Sequence, residues 1–135
     1  MSAAVLDSFA LIAYFRGELG GVPIKEALQK ASRTDKPLHM TEVNYAEVKY
    51  VIRRKDGAEA WAEAAKILMA LPIEFHPATR ELADLAADFK SRFTMSLADA
   101  FAAALAKEKK ADLVTGDPEF KAIESELKIC WVTTK

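Results

Sequence analysis

Four carboxylates in this chain have settings that point to chemistry: Asp7, Glu47, Asp99 and Asp117. Asp7 ends the apolar run of residues 3–6, and Asp117 follows Leu113 and Val114 through the turn Thr115-Gly116. Asp99 falls three residues after Ser96, which can cap the alanine-rich segment that follows. Glu47 lies four residues from both Val43 and Val51, with Asn44 one turn behind it, so helical spacing sets a carboxylate and an amide into an apolar stripe. A carboxylate there is costly unless it is paired, hydrogen-bonded or bound to metal. Four converging acids without cations repel one another, and a divalent ion resolves that. Hard oxygen donors with no His or Cys among them suit Mg²⁺ or Mn²⁺, which keep several waters and bind phosphate oxygens. Such ions activate water, neutralise charge on a scissile phosphate and stabilise the leaving oxygen. The chemistry implied is phosphodiester hydrolysis, with one or two ions held by the four acids and one acid also orienting or deprotonating the attacking water.

Each acid also has a structural reading. Asp7 and Asp117 can cap helices, the latter just before Pro118, and Asp99 can be the capping-box partner of Ser96. Glu47 cannot be a cap. Its alternatives are a satisfied buried Glu or a helix of different phase.

The elements that must position these acids are short. Residues 3–6 read as a strand leading into a helix over residues 9–15, and Gly17, Gly20 and Gly21 break the chain. An amphipathic helix over residues 22–31 follows, with Val22, Ala27, Leu28 and Ala31 inward. After a turn at residues 34–37, residues 38–40 read as a second strand. Thr41 caps a helix to Lys55, and Asp56 opens the next, through Trp61, Ala65, Leu68 and Met69, until Pro72. Residues 73–75 read as a third strand. Pro77 opens a helix to Phe93 with Leu82, Leu85, Ala86 and Phe89 inward, and the Ser96 helix and residues 113–114 follow. A short helix starts at Pro118, and residues 129–132 are the last strand. Five short strands alternating with helices argue an α/β fold, a parallel sheet covered on both faces. In such sheets ligands bind at the carboxyl ends of strands, where Asp7 and Asp117 lie.

Composition excludes several classes. With 135 residues the chain is of single-domain size and needs no cross-links to bury a core. Its 19 basic and 20 acidic side chains leave no global field to attract a polyanion. Nucleic acid must then be held by local cations such as Arg16, Arg53, Arg54, Lys55, Lys90 and Arg92. The single cysteine, Cys130, allows no internal disulfide and no cysteine metal site, and its strand-like neighbours predict a buried apolar filler. The amino terminus does not read as a signal peptide and no run approaches membrane-spanning length, which predicts a cytoplasmic protein.

Leu-Asp-Ser-Phe at residues 6–9, Asn-Tyr-Ala-Glu at 44–47, Ser-Leu-Ala-Asp-Ala at 96–100 and Leu-Val-Thr-Gly-Asp-Pro-Glu-Phe at 113–120 together resemble a PIN domain of the VapC toxin type. The likeness spans nearly the whole chain, so residues 1–135 are expected to form a single PIN-like domain. It implies a five-stranded parallel sheet in the order 3-2-1-4-5. It implies that Asp7, Glu47, Asp99 and Asp117 are the catalytic, metal-binding acids, with Ser8, Asn44 and Thr115 in support. By the same resemblance the activity is that of a Mg²⁺- or Mn²⁺-dependent endoribonuclease leaving a 5′-phosphate and a 3′-hydroxyl. The partners implied are RNA, a second copy of the chain, and a VapB-like antitoxin through which DNA is met only indirectly. That antitoxin is expected to lay an apolar helix on the toxin and to place an Arg near the acids. Val48, Ile52, Trp61 and Leu68 support a homodimer, as more apolar surface than one small sheet edge can cover. His39, read as a strand-end residue, and His76, a pre-proline turn residue, stand outside the chemistry.

Rival classes fit less well. An aspartyl-phosphate phosphotransferase wants a second Asp two positions after the first, where this chain has Phe9. A receiver-like domain needs an early acid pair and a Lys near the last strand. The serious alternative is a non-catalytic PIN-like module that binds RNA or protein.

Overall fold

Side chains that end strands also begin helices in this chain. The computed structural model describes residues 3–132. Strand β1 (Ala4–Leu6) stops at Asp7, whose carboxylate accepts from the Ala10 N–H and so starts α1 (Ser8–Phe15). After α2 (Gly21–Thr34), β2 (Leu38–Thr41) ends in Thr41, which caps α3 (Glu42–Asp56). Gly57, at φ +99°, turns the chain directly into α4 (Ala58–Ala70), a conformation that favours glycine. Then come β3 (Ile73–His76), α5 (Arg80–Arg92), α6 (Leu97–Lys109), β4 (Asp112–Thr115), a 3₁₀ turn (Pro118–Ile123) and β5 (Ile129–Trp131). The strands form one parallel sheet in the order β3-β2-β1-β4-β5, as the resemblance implied.

Alternation along the strands divides the core in two. Val5 and Leu113 join Leu82, Ala86 and Phe89 of α5, the buried face of α6, and Phe120 and Ile123 of the 3₁₀ turn. Leu6, Met40 and Val114 face the other way, toward α1, α2, α3 and α4. Helix α6 is buried without interruption from Ala100 to Ala106. Five of those seven residues are alanine, which lets the helix lie close to the sheet while α5 covers it, and this fixes the base on which Asp99 stands. None of the described helices is long and apolar enough to cross a membrane.

Several expectations are corrected. Helix α3 is turned by one residue: its buried line is Asn44, Val48 and Ile52, and Val43, Glu47 and Val51 sit half-buried beside it. Val22 is 59 % exposed, since Ile24, Leu28 and Ala31 form the inner line of α2. Asp56 ends α3 and does not open α4, because the Arg16 guanidinium holds it at 2.9 and 3.1 Å. Met69 is 89 % exposed, with Trp61, Ala64 and Leu68 taking the buried face. Thr79, not Pro77, starts α5, its hydroxyl accepting from the Leu82 N–H. Cys130 is exposed, since it lies on edge strand β5 and opens onto a cleft of about 490 Å³. Val48, Ile52, Trp61 and Leu68 are all covered within the chain, so they offer no surface to a second copy.

Candidate metal centre

The carboxyl ends of β1 and β4 are adjacent in register, Leu6 lying beside Val114. Asp7 and Thr115, one residue further along each strand, therefore meet. The Thr115 hydroxyl donates to Asp7 Oδ2 and accepts from the Asp117 N–H at 2.9 Å. Asp7 Oδ1 accepts from the Ala10 N–H at 2.9 Å, and the residue is wholly buried. Burial pushes its carboxyl up to about 7; the Thr115 and Ala10 hydrogen bonds oppose this, and the charges of Asp117 and Glu47 add to it.

Asp99 reaches the same place from the first turn of α6. Its N–H donates to Ser96 Oγ at 3.0 Å, the cap expected from the spacing. Only 7 % of it is exposed. Burial first, then the charges of Asp117 and Asp7 and a hydrogen bond shared with Glu119, push its carboxyl up to about 8 against the pull of the Ser96 hydroxyl. Asp117 caps the 3₁₀ turn by accepting from the Glu119 N–H at 2.9 Å, which folds Glu119 back over it. Carboxylate oxygens of Asp99, Asp117 and Glu119 lie within 4.8 Å of one another.

Glu119 is the acid that the sequence reasoning missed. It stands two residues after Asp117, inside the stretch that carries the family likeness, and a tight turn at Pro118 was the available signal. Glu47 is close enough to raise Asp7 but is outside the group of three. As a half-buried residue on the flank of α3, it forms the rim of the site. Asp7 and Asp117 each cap a helix start with one carboxylate oxygen; Asp117 also lies in the group of three, while the second oxygen of Asp7 accepts from Thr115.

Asn44 ties the pieces together from below. Its Nδ2 donates to Ser8 Oγ at 2.9 Å and to the Ala98 carbonyl at 3.1 Å, while its Oδ1 accepts from the Thr41 hydroxyl at 2.5 Å. Ser8 and Ala98 are the chain neighbours of Asp7 and Asp99, so one buried amide sets the spacing of α1, α3 and α6. Gly116 is needed for packing: a Cβ there would come within 2.4 Å of the Phe9 ring, so Thr-Gly-Asp turns only where no side chain intervenes.

Among the described residues no Lys, Arg or His forms an ion pair with Asp7, Glu47, Asp99, Asp117 or Glu119. Acids crowded this closely, two of them with raised pKa, fit a divalent cation with oxygen ligands. Of the six cations put forward for nucleic acid, Arg16 is taken by Asp56 and Glu18, Arg92 by Glu126, and Lys90 donates to the Met95 carbonyl. Arg53, Arg54 and Lys55 remain on α3, and the two arginines line a shallow cleft of about 500 Å³ with Lys49, Tyr45, Ala46 and Tyr50. The Arg54 guanidinium lies over the exposed Tyr50 ring, 5.7 Å from its centre.

Comparison with solved structures finds the same fold repeatedly. The DNA-bound VapBC of Salmonella typhimurium aligns over 96 % of this chain and 98 % of its own at 15 % identity, TM-score 0.77. A toxin–antitoxin complex from Klebsiella pneumoniae aligns over 90 % and 92 % at 19 % identity, TM-score 0.69. A sarcin-ricin-loop-cleaving VapC toxin of Mycobacterium tuberculosis aligns over 89 % and 94 % at 20 % identity, TM-score 0.68. No curated protein gives a significant sequence match to the chain. Residues 4–126 match the PIN domain family, a stretch that carries β1 to β4 and all five acids; the chain belongs to the PIN domain family.

Proposed function

We propose that the chain is a Mg²⁺- or Mn²⁺-dependent endoribonuclease and the toxin of a VapBC-type pair, formed by a single domain over residues 1–135. The observation that carries this is the group of Asp99, Asp117 and Glu119 oxygens within 4.8 Å, joined to buried Asp7 through Thr115, with no cation beside them among the described residues. Asp7, Asp99, Asp117 and Glu119 would hold the ion or ions, with Glu47 at the rim. When bound, the metal supplies charge neutralisation on the scissile phosphate and on the leaving oxygen, and lowers the pKa of water.

The chain's own residues do the rest. Glu47, half-buried and outside the tight group, accepts a hydrogen bond from the attacking water and takes its proton. Thr115 and Asn44 hold the acids in place without touching substrate. Lys49, Arg53 and Arg54 contact backbone phosphates, and Tyr50 offers a face for a base to stack on. In-line attack opposite the 3′ oxygen leaves a 5′-phosphate and a 3′-hydroxyl.

The neighbouring structures support the partners. Two are described as toxin–antitoxin or VapBC complexes, one of them on DNA, and a third cleaves the sarcin-ricin loop. By that likeness this chain acts on RNA and is held by a VapB-like antitoxin that brings it to DNA; a cytoplasmic location and a homodimer complete the proposal and rest on the resemblance of its sequence motifs. The test is cleavage of a structured RNA with Mg²⁺ or Mn²⁺, with EDTA, and by Asp99→Asn and Asp117→Asn. Cleavage that needs metal and both acids is the expected result. RNA binding without cleavage in any metal would overturn it in favour of a non-catalytic PIN-like module.

A further inference from the structure

A second group of donors gathers away from the carboxylates, on β2 and the edge strand β3. Parallel register sets His39 beside Glu74 and Thr41 beside His76, so His39, Glu74 and His76 project from one face of the sheet. His39 Nδ1 and His76 Nε2 are 2.9 Å apart, and Glu74 Oε1 is 3.7 Å from His39 Nδ1. One donor atom from each of the three lies within 4.8 Å of the others.

Two nitrogens each about 2.05 Å from a tetrahedral ion stand roughly 3.3 Å apart, so the two measured separations bracket that edge. A plain imidazole pair would account for the 2.9 Å contact with one shared proton. It gives no role to Glu74, which at 3.7 Å is too far to accept a hydrogen bond from His39. A cation between the three uses all of them. Both rings are held below their ordinary 6.5, His39 by burial and then by His76 and Lys109, His76 by burial and then by Lys109, so both present lone pairs at neutral pH. Lys109 opposes a bound cation, and the carboxylates of Glu74 and Glu108 act against it. Lys109 ends α6 and Asp99 stands in its first turn, ten residues or about 15 Å away along the axis, which separates this group from the acidic centre. His39 and Glu74 also line the cleft of about 490 Å³, which gives solvent a way in.

We propose that His39 Nδ1, His76 Nε2 and a Glu74 carboxylate oxygen bind a borderline transition-metal cation, Zn²⁺ being the best match, with water in the fourth position. Imidazole donors select Zn²⁺ over Mg²⁺, whereas the acidic centre prefers the harder ion. Such an ion fastens edge strand β3 to β2.

The experiment is titration of the full chain with Zn²⁺ against a chromophoric chelator, in excess Mg²⁺ to fill the acidic centre, with melting followed in parallel. One Zn²⁺ per chain and a raised melting temperature are expected. His39→Gln and His76→Gln should each weaken binding by about tenfold or more, and Glu74→Gln by less. Asp99→Asn and Asp117→Asn should leave it unchanged. If His39→Gln does not fold, the less buried His76 and Glu74 variants carry the test. Absence of Zn²⁺ binding in excess Mg²⁺, equal affinity in wild type and His76→Gln, or loss of binding in the Asp variants would each overturn the proposal.

Discussion

The Thr115 hydroxyl holds Asp7 and Asp117 at once, donating to the carboxylate of the first and accepting from the backbone N–H of the second. One side chain thus bridges two acids 110 positions apart in the chain, and it does so with both halves of its hydrogen-bonding capacity.

Replacing that hydroxyl separates shape from hydrogen bonding. Thr115→Val keeps the volume and leaves both Asp7 Oδ2 and the Asp117 N–H without their partner, so it should destabilise the metal-free protein by about 1–3 kcal/mol. It also removes a bond that pulls the Asp7 carboxyl down, so Asp7 ionises less readily and metal affinity falls. Thr115→Ser should restore both. Denaturant melts and Mn²⁺ titrations of the two variants check this; a valine variant as stable and as tightly metal-binding as wild type would contradict it.

Asp7 and Asp99 titrate near 7 and 8 in place of 3.8, so the folded protein keeps protons that the unfolded chain has released. Their stabilising protonation is complete below about pH 4 and is lost as pH rises through 7 and 8. His39 and His76, held below 6.5, give the opposite slope, but that is finished near neutrality. Asp56 and Glu126, paired with Arg16 and Arg92, act only around and below pH 4. Between pH 7 and 9 the melting temperature in EDTA should therefore fall, and Asp99→Asn should flatten the fall. Saturating Mn²⁺ should reduce it, because the ion takes the ionised carboxylates. A melting temperature in EDTA that rises across this interval would refute the assignment.

The fold was legible because each short apolar run ends in a residue that can start a helix, as at Asp7, Thr41 and Asp117, and those local rules do not depend on distant contacts. The phase of α3 was not legible. Asn44 and Glu47 both read as set into the inward stripe, yet only Asn44 is wholly buried, because its amide is satisfied by Ser8 and Ala98, 36 and 54 residues away. Turning the helix to seat Asn44 moved Glu47 from the core to the rim. Glu119 was missed for a related reason: only the backbone bond from Glu119 to Asp117 brings its carboxylate over the site. Cys130 looked like core filler because strand-like neighbours do not reveal that its strand lies at the sheet edge beside an open cleft.

Arg53 and Arg54, like Lys49 and Lys55, are cations of α3 that no acid engages among the described residues, and the two arginines stand about 10 Å along the helix from Glu47. The double change Arg53→Ala, Arg54→Ala should weaken RNA binding and lower the slope of log affinity against log salt by roughly 1 to 2. The rate of cleavage at saturating RNA should change little, since neither residue reaches the acids. Binding titrations at several salt concentrations measure the slope, and an unchanged slope would remove α3 from the substrate path.

The acids themselves distinguish a cap from a ligand, because the two roles predict opposite signs. If Asp117 serves mainly through its bond to the Glu119 N–H, Asp117→Ala should cost the metal-free protein about 1 kcal/mol while Asp117→Asn, which keeps a capping oxygen, should cost little. If it is also part of a crowded carboxylate group, Asp117→Asn removes repulsion felt at Asp7 and Asp99 and should leave the metal-free protein unchanged or more stable. Metal supplies the second arm. At about a hundredfold excess over its dissociation constant, an ion that binds only the folded state stabilises by roughly 2.7 kcal/mol. In a domain of this length that is a rise on the order of 10 °C. Asp7→Asn, Asp99→Asn and Asp117→Asn should each lose much of the rise together with nuclease activity. Glu119→Gln should lose part of it, as the outermost of the three clustered oxygens. Melting of wild type and the four variants with EDTA and with Mn²⁺ decides the matter. A wild type that melts at one temperature in both would remove the metal centre, and variants that keep the full rise would place its ligands elsewhere.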